Sequence, residues 1–487
     1  MSEELTSASP PPLPPSPMEK LNGFSDRFSP MLVKELRQGL RTHTFVILFL
    51  ILQGLLALIL LTTAAANANA GEIVSSIIFF LFSVAVLVVQ PLRGMSAISS
   101  EIRSDTIDLM SLTKLSAWRI VFGKWASIMG QTTLLLFAIV PYLILRYFFG
   151  GMQLFSELLS LFTIFLLSGV LTAITVGLSA SSLMLIRAIP LLGAFFLFYP
   201  IGLFAFGAFD ELLEIFTPNT QEHWFGLLAS YLIASFVGYF FLELAATAIA
   251  PSAENRATRK RLAAIIVVPI AFLALHGIEY QIAWSLSFAL LAILSLDLFT
   301  EGTDYPSVVL RPFLRFGLLG KIAARFLAPG WATGTLFHLL LIGLLFLLSL
   351  LIGDELKTGG DPEIGSIIAI VLGMLYLPHF LVHLFHKRIS NRLVAYLLFA
   401  ILLFGMIPLL ALLDEIGDTE MVAWSFCFIP QVQPFLDRYT NDSTLFLISG
   451  ITASIYILLC LTYAIKPLLN LNKLEQEESQ RLLSEEQ

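Results

Sequence analysis

The sequence contains few of the residues that mark a soluble, secreted or nucleic-acid-binding protein. Only 13% of its 487 residues are charged, whereas ordinary soluble domains carry about a quarter. Its two cysteines, Cys427 and Cys460, are too few for a disulfide framework or a cysteine metal cluster. No stretch has the clustered basic residues of a nucleic-acid-binding surface, so we expect no nucleic-acid partner.

The sequence also lacks the phosphate-binding loop of ATPases. It contains two Gly-Lys pairs that might belong to such a loop, Gly123-Lys124 and Gly320-Lys321. Neither pair has a glycine five residues before its own glycine, and neither is followed by serine or threonine, as that loop requires. We therefore expect no ATP hydrolysis by this chain.

Long apolar runs dominate what is present. Hydrophobic residues make up 57% of the chain, and many fall in runs of about 20, the length that crosses a bilayer as a helix. These runs are too long for barrel strands. The sequence predicts an all-α polytopic membrane protein with about twelve transmembrane helices in two groups of six. The predicted spans are 44–65, 73–89, 125–145, 158–178, 189–209, 225–247, 262–276, 282–299, 335–352, 364–384, 394–413 and 444–465.

The charges of the connecting segments orient this topology. Segments that the count places on one side are basic, and those on the other side are acidic or nearly uncharged, with Arg146 and Arg438 as exceptions. Because basic loops stay in the cytoplasm, both termini are predicted to be cytoplasmic. The basic segments are 93–124, Arg187, 256–261, 311–325 and 386–392, and the acidic ones are 210–223, 354–363 and 414–420.

Composition divides the chain into four predicted segments. Residues 1–29, which include SPPPLPPSP, are predicted to form a disordered cytoplasmic tail. Residues 30–250 and 251–466 each hold six predicted spans, as internally duplicated transporters do. The second group is either a decayed copy of the first or an unrelated accessory. Residues 467–487 are predicted to be a polar cytoplasmic tail.

Two amphipathic segments flank the first two spans on the predicted cytoplasmic side. In residues 30–41, three leucines line one helical face and basic residues line the other. In residues 98–116, Glu101, Asp105 and Asp108 recur at i, i+4 and i+7, so they share an acidic face. Such a helix is expected to lie on the bilayer surface with its charges toward the cytoplasm. The apolar positions are Leu32, Leu36 and Leu40 in the first segment and Ile98, Ile102, Leu109, Leu112 and Leu115 in the second.

These two segments, in this order, resemble the interfacial and coupling helices of type-2 ATP-binding-cassette (ABC) exporter permeases. The family typically has Pro followed by Lys/Arg-Glu-Leu-Arg, and later Glu, Gly-Thr-Leu-Glu, leucines, Thr-Pro-Leu-Ser and Ile-Val-x-Gly-Lys. This chain differs at Asp105, where the family has Gly, and at Lys114, where it has Pro. The resemblance assigns to the coupling helix Glu101, Asp105, Thr106, Asp108, Leu109, Leu112, Thr113, Ser116, Gly123 and Lys124, and to the interfacial helix Lys34, Glu35, Arg37 and Arg41.

The resemblance implies a function as well as a fold. The chain would be the membrane-spanning permease subunit of an ABC exporter, neither an enzyme nor a direct binder of a cofactor. A separate ABC ATP-binding subunit would hydrolyse ATP and push the coupling helix, with Glu101, Asp105 and Asp108 as charge contacts. Lys124 is expected to reach the inner interface. One coupling helix per chain implies a homodimer or pairing with another permease in the lipid bilayer.

Two alternatives remain open. His379, His383 and His386 share one helical face, so they could bind zinc or haem. Because three ligands from one helix seldom converge, contacts with headgroups or neighbouring helices are favoured, and no metal site is predicted. The second alternative is an ion-gradient-driven secondary transporter with six-plus-six topology. Glu243 and Asp297, near the inner ends of spans, could mark its pathway, although snorkelling or helix capping is favoured.

Overall fold

A computed structural model describes residues 30–66, 71–104, 116–148, 153–181, 184–205, 220–251, 253–352, 362–389, 391–403 and 443–485. Within these ranges the regular structure is helical and contains no strand. Eight helices in them are long and apolar enough to cross a membrane. The chain is therefore an all-α polytopic membrane protein, while a total of about twelve spans in two groups stays a prediction. The eight are His43–Thr62, Val74–Arg103, Ala117–Tyr147, Leu154–Ser179, Gln221–Ile249, Tyr280–Leu298, Trp331–Ile352 and Gly450–Ser484.

The four other predicted spans correspond to shorter or more polar helices. Spans 189–209 and 364–384 fall on helices whose apolar parts are Ile186–Tyr199 and Val371–Leu384. Span 262–276 belongs to a helix that begins with several cations. Span 394–413 is described only as far as the helix Arg392–Leu403.

The chain forms two compact units, and the first comprises Met1–Val176 and Leu191–Leu212. Its centre is the helix Ala117–Tyr147, against which the first three helices of the described residues pack. Its helices are α1 (Pro30–Leu40), α2 (His43–Ala66), α3 (Gly71–Ser83), α4 (Ser99–Arg103) and α5 (Ala117–Tyr147). It also includes α6 (Leu154–Ser179) up to Val176 and α7 (Met184–Ala205) from Leu191 onward.

Small residues bring α1 close to α5. The Leu36 side chain lies over Gly130, and Gly39 of α1 faces Ser127 and Gln131 of α5. Glycine at a helix crossing lets the two backbones approach, which increases the van der Waals contact that holds helices together in lipid. The amphipathic helix predicted over 30–41 is thus present and has a packed face.

The helix that begins with α3 changes its winding before it reaches α4. Residues Val84–Val89 are π-helical, and Pro91 follows them. Proline has no backbone N–H, so it cannot donate to the carbonyl four residues earlier. The Ser168 hydroxyl of α6 donates instead to the nearby Val86 carbonyl oxygen at 2.7 Å. A hydroxyl from a neighbouring helix therefore donates a hydrogen bond to a backbone carbonyl oxygen that the irregular winding exposes.

The second unit comprises Gly177–Pro190 and Leu213–Gln487. In it α8 packs on α9, α9 on α10 and α11 on α12, and the last helix packs along α13. The helices are α8 (Gln221–Ile249), α9 (Ala257–His276), α10 (Tyr280–Leu298), α11 (Gly317–Leu327), α12 (Trp331–Ile352), α13 (Pro362–Leu384), α14 (Arg392–Leu403) and α15 (Ser443–Glu485). Because α8 packs on α9, it lies in this unit, although the sequence-based division groups it with residues 30–250.

The polar C-terminal segment is a packed part of α15. This helix has 43 residues and continues through Lys466 without interruption. Leu471 is buried against Leu310, Phe313 and Ala324, because these side chains form one apolar cluster. Further along the segment, Glu478 accepts a hydrogen bond from the Ser307 hydroxyl at 2.9 Å. The predicted polar tail therefore has one face packed against residues 307–327.

Buried ion pairs join the helices of the second unit. Glu243 of α8 lies 3.0 Å from the Arg256 guanidinium, and Asp297 of α10 lies 2.7 Å from the Lys260 ammonium. All four residues are buried. The expectation that Glu243 and Asp297 snorkel or cap helices is therefore wrong, since each carboxylate compensates a buried cation on a neighbouring segment.

Arg261 fixes the turn that precedes α12. Its guanidinium donates to the Ala328 carbonyl oxygen at 2.6 Å and the Gly330 carbonyl oxygen at 3.0 Å, and it pairs with Glu301 at 2.7 Å. The same Glu301 carboxylate accepts from the Gly330 N–H at 3.0 Å. Gly330 has a φ of 116°, a conformation that only glycine adopts easily. The predicted basic loop 256–261 is therefore largely buried.

We expect Gly334→Ala to destabilise the second unit. A Cβ at Gly334 of α12 would overlap the Leu298 carbonyl oxygen of α10, so the two backbones would have to separate. Overpacking of this kind costs about 1–3 kcal/mol. Gly343→Ala is the matched control, because it lies on the same helix with nothing within 4 Å. Thermal unfolding in detergent should show a lower midpoint for Gly334→Ala only, and equal midpoints would contradict the close approach.

Candidate functional site

The predicted coupling region contains a buried cation between two carboxylates. The Lys124 ammonium of α5 lies 2.8 Å from Glu101 Oε1 of α4 and 3.3 Å from Glu35 Oε1 of α1. The Lys124 side chain is 7% exposed, and those of Glu35 and Glu101 are 16% and 17% exposed. We call these three residues the Lys124 triad. It connects the predicted interfacial helix, the start of the predicted coupling helix and the central helix of the first unit.

The triad changes the roles expected for Lys124 and Glu101. Lys124 was expected at the inner interface, but it is buried, because two carboxylates within 4 Å offset the desolvation of its ammonium. Glu101 was expected to face an ATPase, yet its carboxylate binds Lys124. Burying the Lys124 ammonium without a partner would cost several kcal/mol, so this arrangement depends on the Glu35 and Glu101 carboxylates.

Arg93 provides a second set of contacts between the end of α1 and α5 in the first unit. Its guanidinium donates to Thr42 Oγ1, next to α1, and to Gln90 Oε1, both at 2.9 Å. It also donates to the Gln131 side-chain oxygen of α5. Sequence reasoning counted Arg93 only as a loop charge. The polar residues Gln90 and Gln131, placed inside or beside apolar runs, were the signal that a buried partner was needed.

The rest of the predicted coupling helix is described only at its ends. The α4 helix ends at Arg103, and Ser104 has non-helical backbone angles. Ser116 has extended backbone and precedes the first residue of α5, and Gly123 is buried within α5. The other assigned residues, Asp105, Thr106, Asp108, Leu109, Leu112 and Thr113, lie outside the described residues. A continuous helix over 98–116 therefore stays a prediction beyond Arg103.

The basic residues of α1, and Arg41 directly after it, are exposed at its surface. Lys34, Arg37 and Arg41 are exposed, whereas Glu35 is half-buried and belongs to the Lys124 triad. This arrangement places three cations at the surface of the helix and its one carboxylate inside the unit. It fits an interfacial helix that contacts headgroups through its basic side.

The histidine face of α13 is used for contacts between helices. Thr335 of α12 donates its hydroxyl to the Trp331 carbonyl oxygen at 2.8 Å, so His379 Nε2, 3.0 Å away, is the donor to that hydroxyl. The His383 ring lies 3.7 Å from the Trp331 ring. His386 is exposed, and its Nδ1 donates to the His383 carbonyl oxygen at 2.9 Å.

These separate contacts keep the three imidazoles from converging on one point. Among the residues that the structure describes, no group of three His, Cys, Asp or Glu side chains is arranged to hold a metal ion. Sequence reasoning missed His338 of α12, whose Nδ1 lies 3.0 Å from the Tyr376 hydroxyl. A single histidine in the apolar run TLFHLLLIGLL was the available signal, because a buried imidazole requires a polar partner.

We expect Lys124→Met to destabilise the first unit strongly, because it leaves Glu35 and Glu101 without their shared cation. Removing one partner of a buried pair costs about 3 kcal/mol or more. Lys34→Met, on the exposed side of α1, removes the same charge and should have little effect. The measurement is the fraction of monodisperse protein that survives heating in detergent. Equal losses for the two variants would mean that Lys124 contributes no pairing energy.

Comparison with known proteins assigns the chain to no family. No protein-family model, no curated protein and no solved structure matches it. The geometry of the described residues and the motifs of the sequence are therefore the basis for its function.

Proposed function

We propose that this chain is the membrane-spanning permease subunit of an ABC exporter in the cytoplasmic membrane, with both termini cytoplasmic. A separate ATP-binding subunit would hydrolyse ATP, and the permease itself would carry out no catalysis. The observation that carries the proposal is the Lys124 triad. It joins the start of the segment that resembles a coupling helix to both α1 and α5.

The triad is suited to transmit a push from the cytoplasm. Glu101 is bound at 2.8 Å to a lysine whose side chain is 7% exposed, so separating the two would leave a buried charge uncompensated. A displacement of residues 98–104 would therefore move α5 rather than break this contact. Since α5 has 31 residues, it is about 46 Å long and reaches across a bilayer. Tilting its inner end would move its outer end, as rocking transporters require.

The contact of Glu101 with Lys124 divides the acidic face into two roles. Glu101 is bound to Lys124 and would transmit force. Asp105 and Asp108, which follow on the same predicted face, would provide the charge contacts with the ATP-binding subunit. Because one chain supplies one such segment, two copies or a second permease would be needed to engage a pair of ATPases.

The two alternatives receive less support from the described residues. Ion-driven transport requires a buried carboxylate that can exchange its cation, but Glu243 and Asp297 are each within 3.0 Å of a basic side chain. Metal or haem binding requires imidazoles that converge on one point, whereas among the described residues His379 Nε2 is hydrogen-bonded to Thr335 and the His383 ring lies against Trp331. Both remain possible outcomes of the experiments below.

We expect the two roles of the acidic face to separate in mutants. Asp105→Lys with Asp108→Lys should weaken co-purification with a candidate ATP-binding subunit, because opposite charges replace the proposed contacts. Glu101→Gln should co-purify normally. Glu222→Lys, an exposed reversal at the start of α8, is the charge control. Normal co-purification of the double variant would contradict the binding role, and transport in vesicles that lack any ATPase would contradict the whole proposal.

The transmission role of Glu101 requires its own measurement. Phe137 is an exposed position on α5. In the assembled complex, the mobility of a spin label attached at Phe137→Cys should change in an ATP-dependent way. A background with Cys427 and Cys460 replaced gives a single labelling site. We expect Glu101→Gln to reduce the change without reducing assembly. An undiminished change would mean that force reaches α5 by another route.

A further inference from the structure

The second unit contains a cavity of about 520 Å³ at its charged end. It lies among the 303–305 segment, the turn before α12, the loop after α13 and the middle of α15, and all of its lining belongs to this unit. It is within the volume range of ligand pockets, about 300–1,000 Å³. Pro467 of α15, which has no backbone N–H to donate, and Gly330, whose φ is 116°, both line it.

Positive charge predominates in the lining. Arg392 and Lys466 both line the cavity, and Asp304 is the acidic residue among its lining residues. Among the described residues, the one hydrogen bond of the Arg392 side chain is a long contact of 3.5 Å to the Glu301 carbonyl oxygen. Among the described residues, no carboxylate forms an ion pair with Arg392 or Lys466. In contrast, nearby Lys260 and Arg261 each pair with a carboxylate. Arg392 and Lys466 are thus available to an anion.

An unsatisfied imidazole and an aromatic wall complete the cavity. His383 lines it and is 95% buried, with 5% exposed, yet its Nε2 has no hydrogen-bond partner among the described residues. Trp331 and Tyr463 line the wall beside that ring. Burial raises the pKa of the Tyr305 hydroxyl to about 12, so it adds no negative charge to the lining. A buried polar atom without a partner costs free energy, and a bound ligand would recover it.

The surroundings of the cavity are apolar and exposed. Leu384 and Phe385 lie between the lining histidines, and Ile465 and Leu469 flank the lining part of α15. Each of these four side chains is more than 40% exposed. In a membrane protein such a surface faces acyl chains. A ligand whose anionic part occupies the cavity could therefore extend an apolar part along this surface, which a soluble anion could not use.

We propose that this cavity binds the phosphate headgroup of an anionic phospholipid, with its acyl chains along Ile465 and Leu469. Arg392 and Lys466 would hold the phosphate oxygens by charge-assisted hydrogen bonds, and His383 would donate or accept at the glycerol part of the headgroup. The site belongs to the second unit and does not depend on the exporter function proposed above. It gives that unit a role in recognising the charge of the membrane.

The test is lipid binding by native mass spectrometry of the delipidated full-length chain. Phosphatidylglycerol, phosphatidylcholine and the soluble probe glycerol 3-phosphate are titrated separately. We expect one phosphatidylglycerol to bind more tightly than phosphatidylcholine. Arg392→Gln and Lys466→Gln should each weaken it by about tenfold, since each removes a charged hydrogen bond of about 1.4 kcal/mol or more.

Matched controls lie close to both residues. Arg388→Gln, on the same loop as Arg392, and Lys473→Gln, on α15, remove exposed charges outside the lining and should leave the affinity unchanged. Because Lys466 is itself exposed, its replacement should not prevent folding. Equal losses in controls and site variants would overturn the site. Equal binding of phosphatidylcholine would overturn anion recognition, and equally tight glycerol 3-phosphate would overturn the lipid assignment.

Discussion

The cost of burying a charge constrains this structure more than any other single interaction. In a protein with few charged residues, most of the buried cations that hold the helix ends together contact a carboxylate, as Lys124 contacts Glu35 and Glu101. Lys260 and Arg261 follow the same rule with Asp297 and Glu301. An unpaired charge in such a place would cost several kcal/mol, so each pair fixes the relative position of the segments that carry it.

The pairing of buried cations with carboxylates has a different structural consequence in each unit. In the first unit, the triad couples α1 and the short helix α4 to the long helix α5, as the proposed transmission of force requires. In the second unit, the pairs around Arg261 bind a turn with its carbonyl oxygens, which suits a fixed framework. Arg392 and Lys466 differ from these cations, because they line a cavity and form no ion pair within the part of the chain that the structure describes.

Sequence reasoning identified several important residues but not their contacts. It named Glu35 from the interfacial-helix motif and Glu101 and Lys124 from the coupling-helix motif, yet it placed Lys124 at the interface and Glu101 toward a partner. Their meeting depends on the packing of α1 against α5, which is a contact between residues 89 positions apart in the chain. The histidine spacing was also recognised, while the use of His379 by Thr335 follows from the neighbouring helix α12.

By itself, the sequence determined that the chain is helical and membrane-spanning, because apolar runs of bilayer length leave no other way to satisfy the backbone in lipid. It also determined the amphipathic character of α1, since that depends only on the spacing of residues within one helix. Only the tertiary structure decided which charges pair, which imidazoles are occupied and where a cavity remains. These properties depend on distances between segments far apart in the chain, and periodicity within one segment contains no information about them.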